Sequence, residues 1–270
     1  MIDGDIQRYY ERGRERERLT RSCGTLELVR TQELLERYLP PPPSAALDVG
    51  GGPGVYAAWL AQAGYRVHLV DPVPLHIEQA LNAAAAQPDY PFTAAVGDAR
   101  QLDAPDASFD AILLFGPLYH LVERAERVAA MAEAQRVLRP GGVVLAAAIS
   151  RFGSLLDGLR QGYLGDPEAL QVIEETVRSG QNRNPGLERF PGWFTTSHFH
   201  RPDELAAEVV ESGLILEALV GVEGPGGFVG DGWDDSQQRP SILRAARLVE
   251  QEKSLLGLSP HFLAVARKRR

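Results

Sequence analysis

The sequence predicts an α/β fold: a doubly wound, mostly parallel, seven-stranded Rossmann-like sheet with an N-terminal helical lid and two insertions that cap the site. Three observations support this prediction. Short apolar runs alternate with amphipathic helical patterns between residues 45 and 150. The run Leu47–Val49 leads into Gly50-Gly51-Gly52-Pro53-Gly54, which is typical of a strand, a tight turn and the start of a helix. The run Val143–Ile149 is almost continuously apolar, as buried parallel strands are.

Composition limits the functional classes. The chain has 270 residues, which fits one α/β domain with added segments, and a formal net charge of −8. That charge argues against a sequence-independent grip on nucleic acid or anionic lipid. No apolar run approaches a membrane span, and the acidic start Met1–Asp5 differs from a signal peptide, so we expect a cytoplasmic protein. Cys23 is the only cysteine, which excludes an intrachain disulfide and a cysteine-based metal cage.

Residues 1–43 are predicted to form the N-terminal helical lid. The first helical pattern, Ile6–Leu19, is rich in Arg and Glu and has two interpretations: a solvated, ion-paired helix, or a lid whose Tyr9 and Tyr10 close over a cleft. The second, Leu26–Leu39, carries an apolar stripe that should pack on the sheet. Pro40–Pro43 ends it, because proline lacks the amide hydrogen that a helix needs.

Residues 44–150 are predicted to be the cofactor-binding core. Repeated βα units of this length indicate a parallel sheet. The predicted strands are Ala45–Val49, Arg66–Asp71, Phe92–Val96, Phe109–Phe115 and Val143–Ile149, and the predicted helices are Ala57–Ala63, Leu75–Ala86 and Glu123–Leu138, the last ended by Pro140-Gly141-Gly142.

Residues 151–201 form the first predicted insertion, with helices at Gly153–Gln161 and Pro167–Arg178 and a long loop ending in Phe190–His200. Residues 202–270 complete the sheet and contain a second inserted loop and helix, 223–258. The predicted elements here are a helix at Pro202–Ser212, a strand at Leu214–Val222, a loop at Gly224–Gln238, a helix at Ile242–Leu256 and a strand at His261–Arg267. If Leu214–Val222 is parallel to its neighbours, the lid and both insertions should form one cap over an acceptor pocket.

The glycine turn alone leaves its ligand open. Gly52–Ala57 matches the dinucleotide pattern G-x-G-x-x-G/A, which is a weak signal by itself. Asp71, about 20 residues further on at a strand end, could accept both ribose hydroxyls of an adenosine cofactor. It could equally cap the next helix, since Pro72 makes a turn there. The pair therefore indicates an adenosine cofactor without specifying NAD.

Asp48-Val49-Gly50-Gly51-Gly52-Pro53-Gly54 resembles the acidic-x-Gly-x-Gly-x-Gly motif of class I S-adenosylmethionine-dependent methyltransferases. Further matches follow in the family's order: Asp71, Gly97-Asp98-Ala99, Phe109–Leu114 and Arg136–Leu145. The resemblance covers residues 45–150 well and Pro202 onward loosely. Gly116–Leu121 and Phe199–Leu205 resemble the bacterial small-molecule type.

The resemblance implies S-adenosyl-L-methionine as cofactor and roles for ten residues. The glycines would admit the amino-acid tail and ribose, and an acidic pocket suits a cationic sulfonium. The implied contacts are the turn glycines Gly50, Gly52 and Gly54, Asp48 at the cofactor's ammonium group, Asp71 and Pro72 at the ribose, Asp98 and Ala99 at the adenine, and Phe115 and Leu118 beside the methionine chain.

Methyl transfer from a sulfonium is an in-line displacement, for which alignment and exclusion of water are the main requirements. A protic acceptor also benefits from a general base. We predict His120, Tyr119 and His198 as catalytic candidates, with Trp193, Phe194 and Phe199 able to complete an aromatic wall. His68 and His261 are expected to be structural, and His76 an exposed helix residue. A metal held by His120, His198 and His200 lacks a spacing signature, so no metal site is predicted.

The predicted function is methyl transfer to a small-molecule acceptor, by a monomer or homodimer that binds neither nucleic acid nor membrane. Two alternatives stay open: an NAD(P)-dependent oxidoreductase that uses the same turn, and a non-catalytic protein that binds S-adenosylmethionine. A protein acceptor is also compatible with the sequence.

Overall fold

The computed structural model describes residues 4–13, 15–20, 23–184, 189–190 and 192–270. The predicted fold class is confirmed, because seven strands form one mostly parallel sheet between helices. The strands are β1 Ala45–Val49, β2 Arg66–Asp71, β3 Thr93–Val96, β4 Phe109–Leu114, β5 Leu138–Ile149, β6 Ile215–Gly221 and β7 His261–Arg267.

The spatial order of the strands is β3-β2-β1-β4-β5-β7-β6. The first five are parallel, and β7 runs antiparallel between β5 and β6. The expectation that 214–222 is parallel to its neighbours is therefore wrong for its pairing with β7. Two antiparallel steps nevertheless make β6 run in the same direction as β5, so its carboxyl end lies at the same edge as that of β1. The strand order reverses between β1 and β4, which makes that edge the place for a ligand.

Eleven α-helices are present in the described residues. They are α1 Gly4–Tyr10, α2 Glu15–Arg18, α3 Cys23–Tyr38, α4 Val55–Gln62, α5 Pro74–Ala85, α6 Pro117–His120, α7 Arg124–Val137, α8 Gly153–Gln161, α9 Pro167–Ser179, α10 Pro202–Glu211 and α11 Arg239–Val249. Short 3₁₀ turns lie at Tyr163–Gly165, Gly224–Phe228, Gly230–Trp233 and Leu256–Leu258. No helix in these ranges is long and apolar enough to cross a bilayer.

Three predicted boundaries are corrected. The pattern Ile6–Leu19 forms two helices rather than one, and Gly13 between them has a φ of 68°, outside the helical range. β5 begins at Leu138 rather than Val143, so the Pro-Gly-Gly segment belongs to the strand. The helix expected to reach Leu256 already ends at Val249. Residues 1–3, 14, 21–22, 185–188 and 191, which belong to the predicted lid and first insertion, lie outside the described residues.

Two hydrophobic cores hold the sheet between its helices. One lies against α3, α4 and α5, and the other against α7 and α10. All five residues of β1 are buried, as expected for a central strand covered on both faces. Each fully buried leucine stabilises the fold by about 1.5–3 kcal/mol, so the position of the β1 end is strongly fixed.

The cap segments have small cores of their own. In the first insertion, Ala169, Ile173, Phe190 and Trp193 pack together. Ile6 and Tyr10 of α1 pack on Val73, next to the start of α5. Trp233 and Ile242 of the second insertion pack on Leu26 of α3. These contacts bring the N-terminal segment and both insertions to the edge of the sheet where β1 and β2 end.

Candidate active site

The turn after β1 needs glycine for steric reasons. Gly50 has a φ of 76°, and a Cβ there would lie 2.5 Å from Cδ of Pro117 and 2.8 Å from the carbonyl oxygen of Phe115. Its amide also donates to the carbonyl of Val70 at 2.7 Å. The turn is thus fixed to the ends of β2 and β4. A Cβ on Gly52, in contrast, would meet nothing closer than 3.8 Å, which leaves its backbone open to a ligand.

Asp71, at the end of β2, organises this turn. Its Oδ2 accepts from the Gly52 amide at 2.9 Å, and its Oδ1 accepts from the Val73 amide at 2.9 Å. His76 Nδ1 lies 3.0 Å from the same Oδ1. Asp71 therefore fixes the start of α5, as the capping interpretation required, and it also lines the cavity at the turn. Three of its roughly four acceptor positions are used, which leaves one for a ligand hydroxyl.

His76 corrects a prediction. It was expected to be an exposed helix residue, but its side chain is buried and lines the cavity. Asp71 covers one side, and the Tyr10 ring packs edge-on at 4.9 Å between centroids.

Asp48 lies behind the turn rather than on the cavity wall. Its carboxyl group is completely buried, and neither oxygen makes a hydrogen bond of normal geometry in the described residues. Burial and the charge of Asp71, opposed in part by the Ala57 amide, raise its pKa to about 7. A Cβ on Gly51 would lie 2.6 Å from Oδ2 of Asp48, so any larger residue at this position would clash with the buried carboxyl group.

Asp98 lines the cavity beyond β3 but already has a partner. Arg100 reaches both of its carboxylate oxygens, Nε to Oδ1 at 2.9 Å and Nη2 to Oδ2 at 2.5 Å, and also pairs with Glu126. The Arg100 hydrogen bond, acting against partial burial, lowers the pKa of Asp98. Arg100 was not among the predicted site residues, although its position directly after Gly97-Asp98-Ala99 could have indicated a partner for Asp98.

These elements surround a first cavity of about 410 Å³. Seven of the ten predicted cofactor contacts lie on its wall: Gly50, Gly52, Asp71, Pro72, Asp98, Ala99 and Phe115. The other three lie off the wall, with Asp48 behind it. Gly54 has a φ of 87° and faces Ala80 and Phe92 at packing distance, and Leu118 is fully buried in the core against α7.

The charge of the first cavity is negative. Five carboxylates line it, those of Glu15, Glu27, Asp71, Asp98 and Glu126, against three cations, the guanidinium groups of Arg18 and Arg100 and the side chain of His261, whose pKa is raised to about 9. This balance favours a cationic ligand.

Tyr10 of α1 closes the cavity from the N-terminal side. Its hydroxyl oxygen lies 2.6 Å from Nε2 of His120, and its ring packs edge-on against the His120 ring. Tyr9 packs edge-on against Phe194 of the first insertion. The second interpretation of the N-terminal pattern, tyrosines over a cleft, matches this geometry. The Arg and Glu side chains nearby also form ion pairs, as the first interpretation required.

His120 and Tyr119, two predicted catalytic residues, both line the first cavity. Burial lowers the pKa of His120 to about 4, so its imidazole is neutral at physiological pH. Burial raises the pKa of Tyr119 above its ordinary value. In a neutral imidazole one ring nitrogen carries a hydrogen and donates, and the other accepts. The hydroxyl of Tyr10 already occupies the hydrogen-bonding position at Nε2 of His120.

A second cavity of about 420 Å³ adjoins the first. Its wall is mainly apolar and comes from the first insertion, the Gly224–Phe228 turn and the N-terminal segment. The apolar and aromatic wall residues include Ile149, Leu156, Tyr163, Trp193, Phe194, Phe199, Phe228 and Pro260. The two cavities share Tyr10, Glu15, Arg18, Glu27, Tyr119 and His261, so one boundary separates them.

His261 lies at this boundary, although it was expected to be structural. Its Nδ1 is 2.5 Å from Oε1 of Glu223 and 3.8 Å from Oε2 of Glu27. Burial alone would lower its pKa, but these two carboxylates raise it to about 9. The three side chains are close enough to hold a metal ion, with ligand atoms within 4.8 Å of one another. Both Glu27 oxygens accept from Arg18, however, and both Glu223 oxygens accept hydrogen bonds, so the arrangement is an ion-pair cluster.

His198 lines neither cavity, which corrects its prediction as a catalytic residue. It lies in a two-residue ribbon, Ser197–His198 paired with Gln181–Asn182, and its ring packs edge-on against His200 at 4.6 Å. His200 in turn lies 3.2 Å from Glu208, which pairs with Arg127. His120, His198 and His200 do not form a group with metal-ligand spacing among the described residues.

Comparison with known proteins identifies the domain. A family model described as a methyltransferase domain matches residues 46–142, which contain the glycine turn, Asp71 and Asp98. Residues 46–142 of this chain form a methyltransferase domain. The predicted family and cofactor, S-adenosyl-L-methionine, are thereby confirmed, and the nicotinamide-dependent alternative is not favoured.

Two curated relatives of the methyltransferase domain are similar in sequence. A ubiquinone biosynthesis O-methyltransferase of Methylocella silvestris is 35% identical over 121 residues, 43% of this chain and 44% of the relative. A demethylmenaquinone methyltransferase of Beutenbergia cavernae is 31% identical over 150 residues, 51% of this chain and 59% of the relative. The chain thus spans about half the length of the curated relatives it matches.

A solved structure supports the same fold for the methyltransferase domain and its additions. A SAM-dependent methyltransferase from Methanosarcina mazei superposes with a TM-score of 0.60 at 21% identity, over 87% of this chain and 97% of that protein. At this identity the likeness establishes the fold and nothing finer.

Proposed function

We propose that this protein transfers the methyl group of S-adenosylmethionine to a small, apolar, ring-bearing acceptor. The observation that carries the proposal is the pair of adjoining cavities. One has the acidic, glycine-lined wall of the methyltransferase domain, the other has a mainly apolar wall with several aromatic rings, and they meet at one boundary.

The first cavity fits the cofactor on two independent grounds. Asp48 is a buried carboxyl group, close under the glycine turn, whose oxygens make no hydrogen bond of normal geometry in the described residues, and the wall has a surplus of carboxylates. Asp71 would hold the ribose through its remaining acceptor position. Arg18, the other guanidinium on the wall, would pair with the cofactor's carboxylate in place of its bonds to Glu27.

At the adenine end, Asp98 would share its oxygens between Arg100 and the adenine amino group. The planar Arg100 guanidinium would also lie beside the purine, since guanidinium groups stack well on flat rings. Ala99, buried on the same wall, would leave its backbone to the ring nitrogens.

When bound, the cofactor supplies an electrophilic methyl group on a sulfonium. The residues at the boundary then align the acceptor and exclude water, which together account for much of the rate of such a displacement. Tyr10, Tyr119 and Phe194 each make a ring contact with His120 and close the boundary from the N-terminal side and the first insertion.

The acceptor class follows from the second wall. Aromatic and aliphatic side chains there favour a flat apolar molecule over a sugar or a free amino acid. The names of the two relatives, which refer to ubiquinone biosynthesis and demethylmenaquinone, support a ring-bearing acceptor. A cytoplasmic location and a monomeric or homodimeric state, both expected from the sequence, are part of the same proposal.

Calorimetry with S-adenosylmethionine, S-adenosylhomocysteine and NAD tests the cofactor. We expect binding of the first two and none of NAD. Formation of S-adenosylhomocysteine with a panel of phenols, naphthols, anilines and peptides then tests the transfer. Cofactor binding without turnover of any acceptor would favour the non-catalytic alternative, and NAD binding alone would contradict the proposal.

A further inference from the structure

His261 and Glu223 form a hydrogen-bonded dyad in which His261 Nδ1 and both Glu223 oxygens have partners. Nδ1 of His261 donates to Oε1 of Glu223 at 2.5 Å. Oε2 of Glu223 accepts from the His261 amide at 3.0 Å and from the Ser259 hydroxyl at 3.2 Å. Glu223 and Ser259 are almost completely buried, so the carboxylate is fixed in place.

The other ring nitrogen is free for a ligand. His261 is partly exposed and lines both cavities, and its Nε2 makes no hydrogen bond to any described residue. With Nδ1 held by Glu223, the tautomer of the neutral ring is fixed as well, and Nε2 is the atom that can exchange a proton.

The charged groups around His261 come from three segments. Glu223 precedes the Gly224–Phe228 turn, Glu27 lies on α3, and Arg18 lies on α2. Arg18 donates to both oxygens of Glu27, at 2.5 and 3.1 Å, which reduces the influence of that carboxylate on the ring. Arg18 also pairs with Glu15, so it offsets only part of the Glu27 charge. Glu223 is the main carboxylate that favours the imidazolium form, and Glu27 adds to it.

We propose that the His261–Glu223 dyad holds the acceptor as a phenolate or enolate, with the hydroxyl proton on Nε2 of His261. The acceptor is then an acidic ring hydroxyl rather than an amine. This inference rests on the proposed function and names its substrate class. An imidazolium at Nε2 attracts an oxyanion and repels a protonated amine.

The step balances with one proton and one methyl group. A neutral hydroxyl gives its proton to neutral His261, or an oxyanion binds directly against the imidazolium, and both routes give the same ion pair. The oxyanion then forms the new O–CH₃ bond while the S–CH₃ electron pair returns to sulfur, leaving neutral S-adenosylhomocysteine. By the first route the proton on Nε2 leaves to solvent after the ether product has gone, whereas by the second route His261 keeps the proton with which it began the cycle.

Binding of 4-nitrophenol in the presence of S-adenosylhomocysteine tests the ion pair without turnover. The phenolate of this probe absorbs visible light, whereas the neutral phenol does not. Below the solution pKa of the probe, the wild-type protein should bind it with the phenolate band, and His261→Gln should remove that band. Glu223→Gln should weaken it, because the imidazolium loses its carboxylate. His68→Gln, which changes a histidine on β2 outside both cavities, should keep it.

Three outcomes would overturn the dyad: binding of the probe as the neutral phenol, no binding at millimolar concentration, or an unchanged band in His261→Gln. Loss of the band on addition of EDTA would also overturn it, by showing that a metal ion holds the anion. Each of these is distinguishable from failure of the proposed function, which would appear as absent S-adenosylmethionine binding in calorimetry.

Turnover gives a second readout. With an acidic phenol, kcat/KM should rise with pH as the phenol ionises and fall again as His261 loses its proton. His261→Gln should lower kcat/KM near neutral pH by about 100-fold and abolish the alkaline decline. Glu223→Gln should move that decline to lower pH, an effect that a purely structural role would not produce. Equal turnover of phenols and matched anilines by the wild-type protein would contradict the assignment.

Discussion

The two cavities share a boundary but are built in different ways. The first is lined largely by short segments that directly follow β1, β2, β3 and β4, so its wall is close in sequence to the strand ends that position it. The second is lined by the N-terminal segment, the first insertion and the turn after β6, which are far apart in the chain. The cofactor wall therefore depends on local turn chemistry, and the acceptor wall depends on how remote segments pack.

The largest expected effect is a loss of cofactor affinity when Asp71, on the wall of the first cavity, is replaced. Asp71→Ala removes a ribose acceptor together with the carboxylate that holds the Gly52 and Val73 amides, so S-adenosylmethionine affinity should fall by about 3 kcal/mol, roughly 100-fold. Calorimetry measures the change, and Asp103→Ala, an exposed site outside both cavities, is the control. Unchanged affinity would show that Asp71 does not hold the cofactor.

A complementary change should affect the acceptor side alone. Phe194→Ala removes a ring that lines only the second cavity and contacts Tyr9, Tyr119 and His120. The acceptor KM should rise by about tenfold, since burying an aromatic ring contributes about 1.5–3 kcal/mol, while the cofactor Kd stays constant. Leu159→Ala, which changes an exposed residue of the same insertion, should alter neither. A weaker cofactor Kd in Phe194→Ala would mean that the cavities are not separable in this way.

Two histidines, His198 and the boundary residue His261, should make the stability of the protein depend on pH at opposite ends of the scale. Burial lowers the pKa of His198 to about 3 in the folded protein. As the pH falls, the unfolded chain therefore binds a proton at His198 before the folded protein does. Stability should therefore fall as the pH falls below about 6.5, by at most about 1.4 kcal/mol per pH unit for this group. The pKa of His261 is about 9 in the folded state, so its contribution is complete below about 6.5 and is lost as the pH rises through 9.

Urea unfolding between acid and alkaline pH measures both effects. His198→Gln should flatten the acid limb and His261→Gln the alkaline limb. The reverse assignment, or no change in either limb, would show that these histidines titrate normally in the folded protein.

The smallest effect concerns the contact that joins the two sides. Tyr10→Phe keeps the ring but removes the hydroxyl that lies 2.6 Å from Nε2 of His120. Loss of one such bond costs about 1 kcal/mol, so cofactor Kd and acceptor KM should each rise by a few-fold. Tyr90→Phe is the matched control, because Tyr90 is half exposed and lines neither cavity. An effect on only one constant would assign Tyr10 to that cavity.

Prediction from sequence succeeded where neighbouring residues decide the outcome. The bounds of β1 and β2, the turn between β1 and α4, and the placement of Asp71 follow from apolar runs and from glycines that no other residue can replace. The error at Leu118 has the same origin. A residue just after β4 was expected at the cavity, but the short helix α6 turns that position into the core while Tyr119 and His120 line the wall.

Prediction failed where a side chain's environment comes from a distant segment. Among the histidines, His76 was expected to be exposed but is buried, His198 was expected at the site but lines neither cavity, and His261, expected to be structural, lines both cavities. His76 is covered by Tyr10 as well as by nearby Asp71, and His261 is held by Glu223 and Glu27. Tyr10, Glu223 and Glu27 are far along the chain from the histidines they contact, so no sequence pattern could reveal them.

The sequence by itself determined the fold class and the turn that would receive a ligand, because strand periodicity and glycine stereochemistry act over a few residues. The choice of S-adenosylmethionine as that ligand came from the resemblance of several motifs to a known family. Only the tertiary structure decided which carboxylates surround His261, which tyrosine contacts His120 and where the second cavity lies. The physical reason is that burial and charge pairing depend on distances through space, and these are set only when the N-terminal segment and both insertions pack on the edge of the sheet.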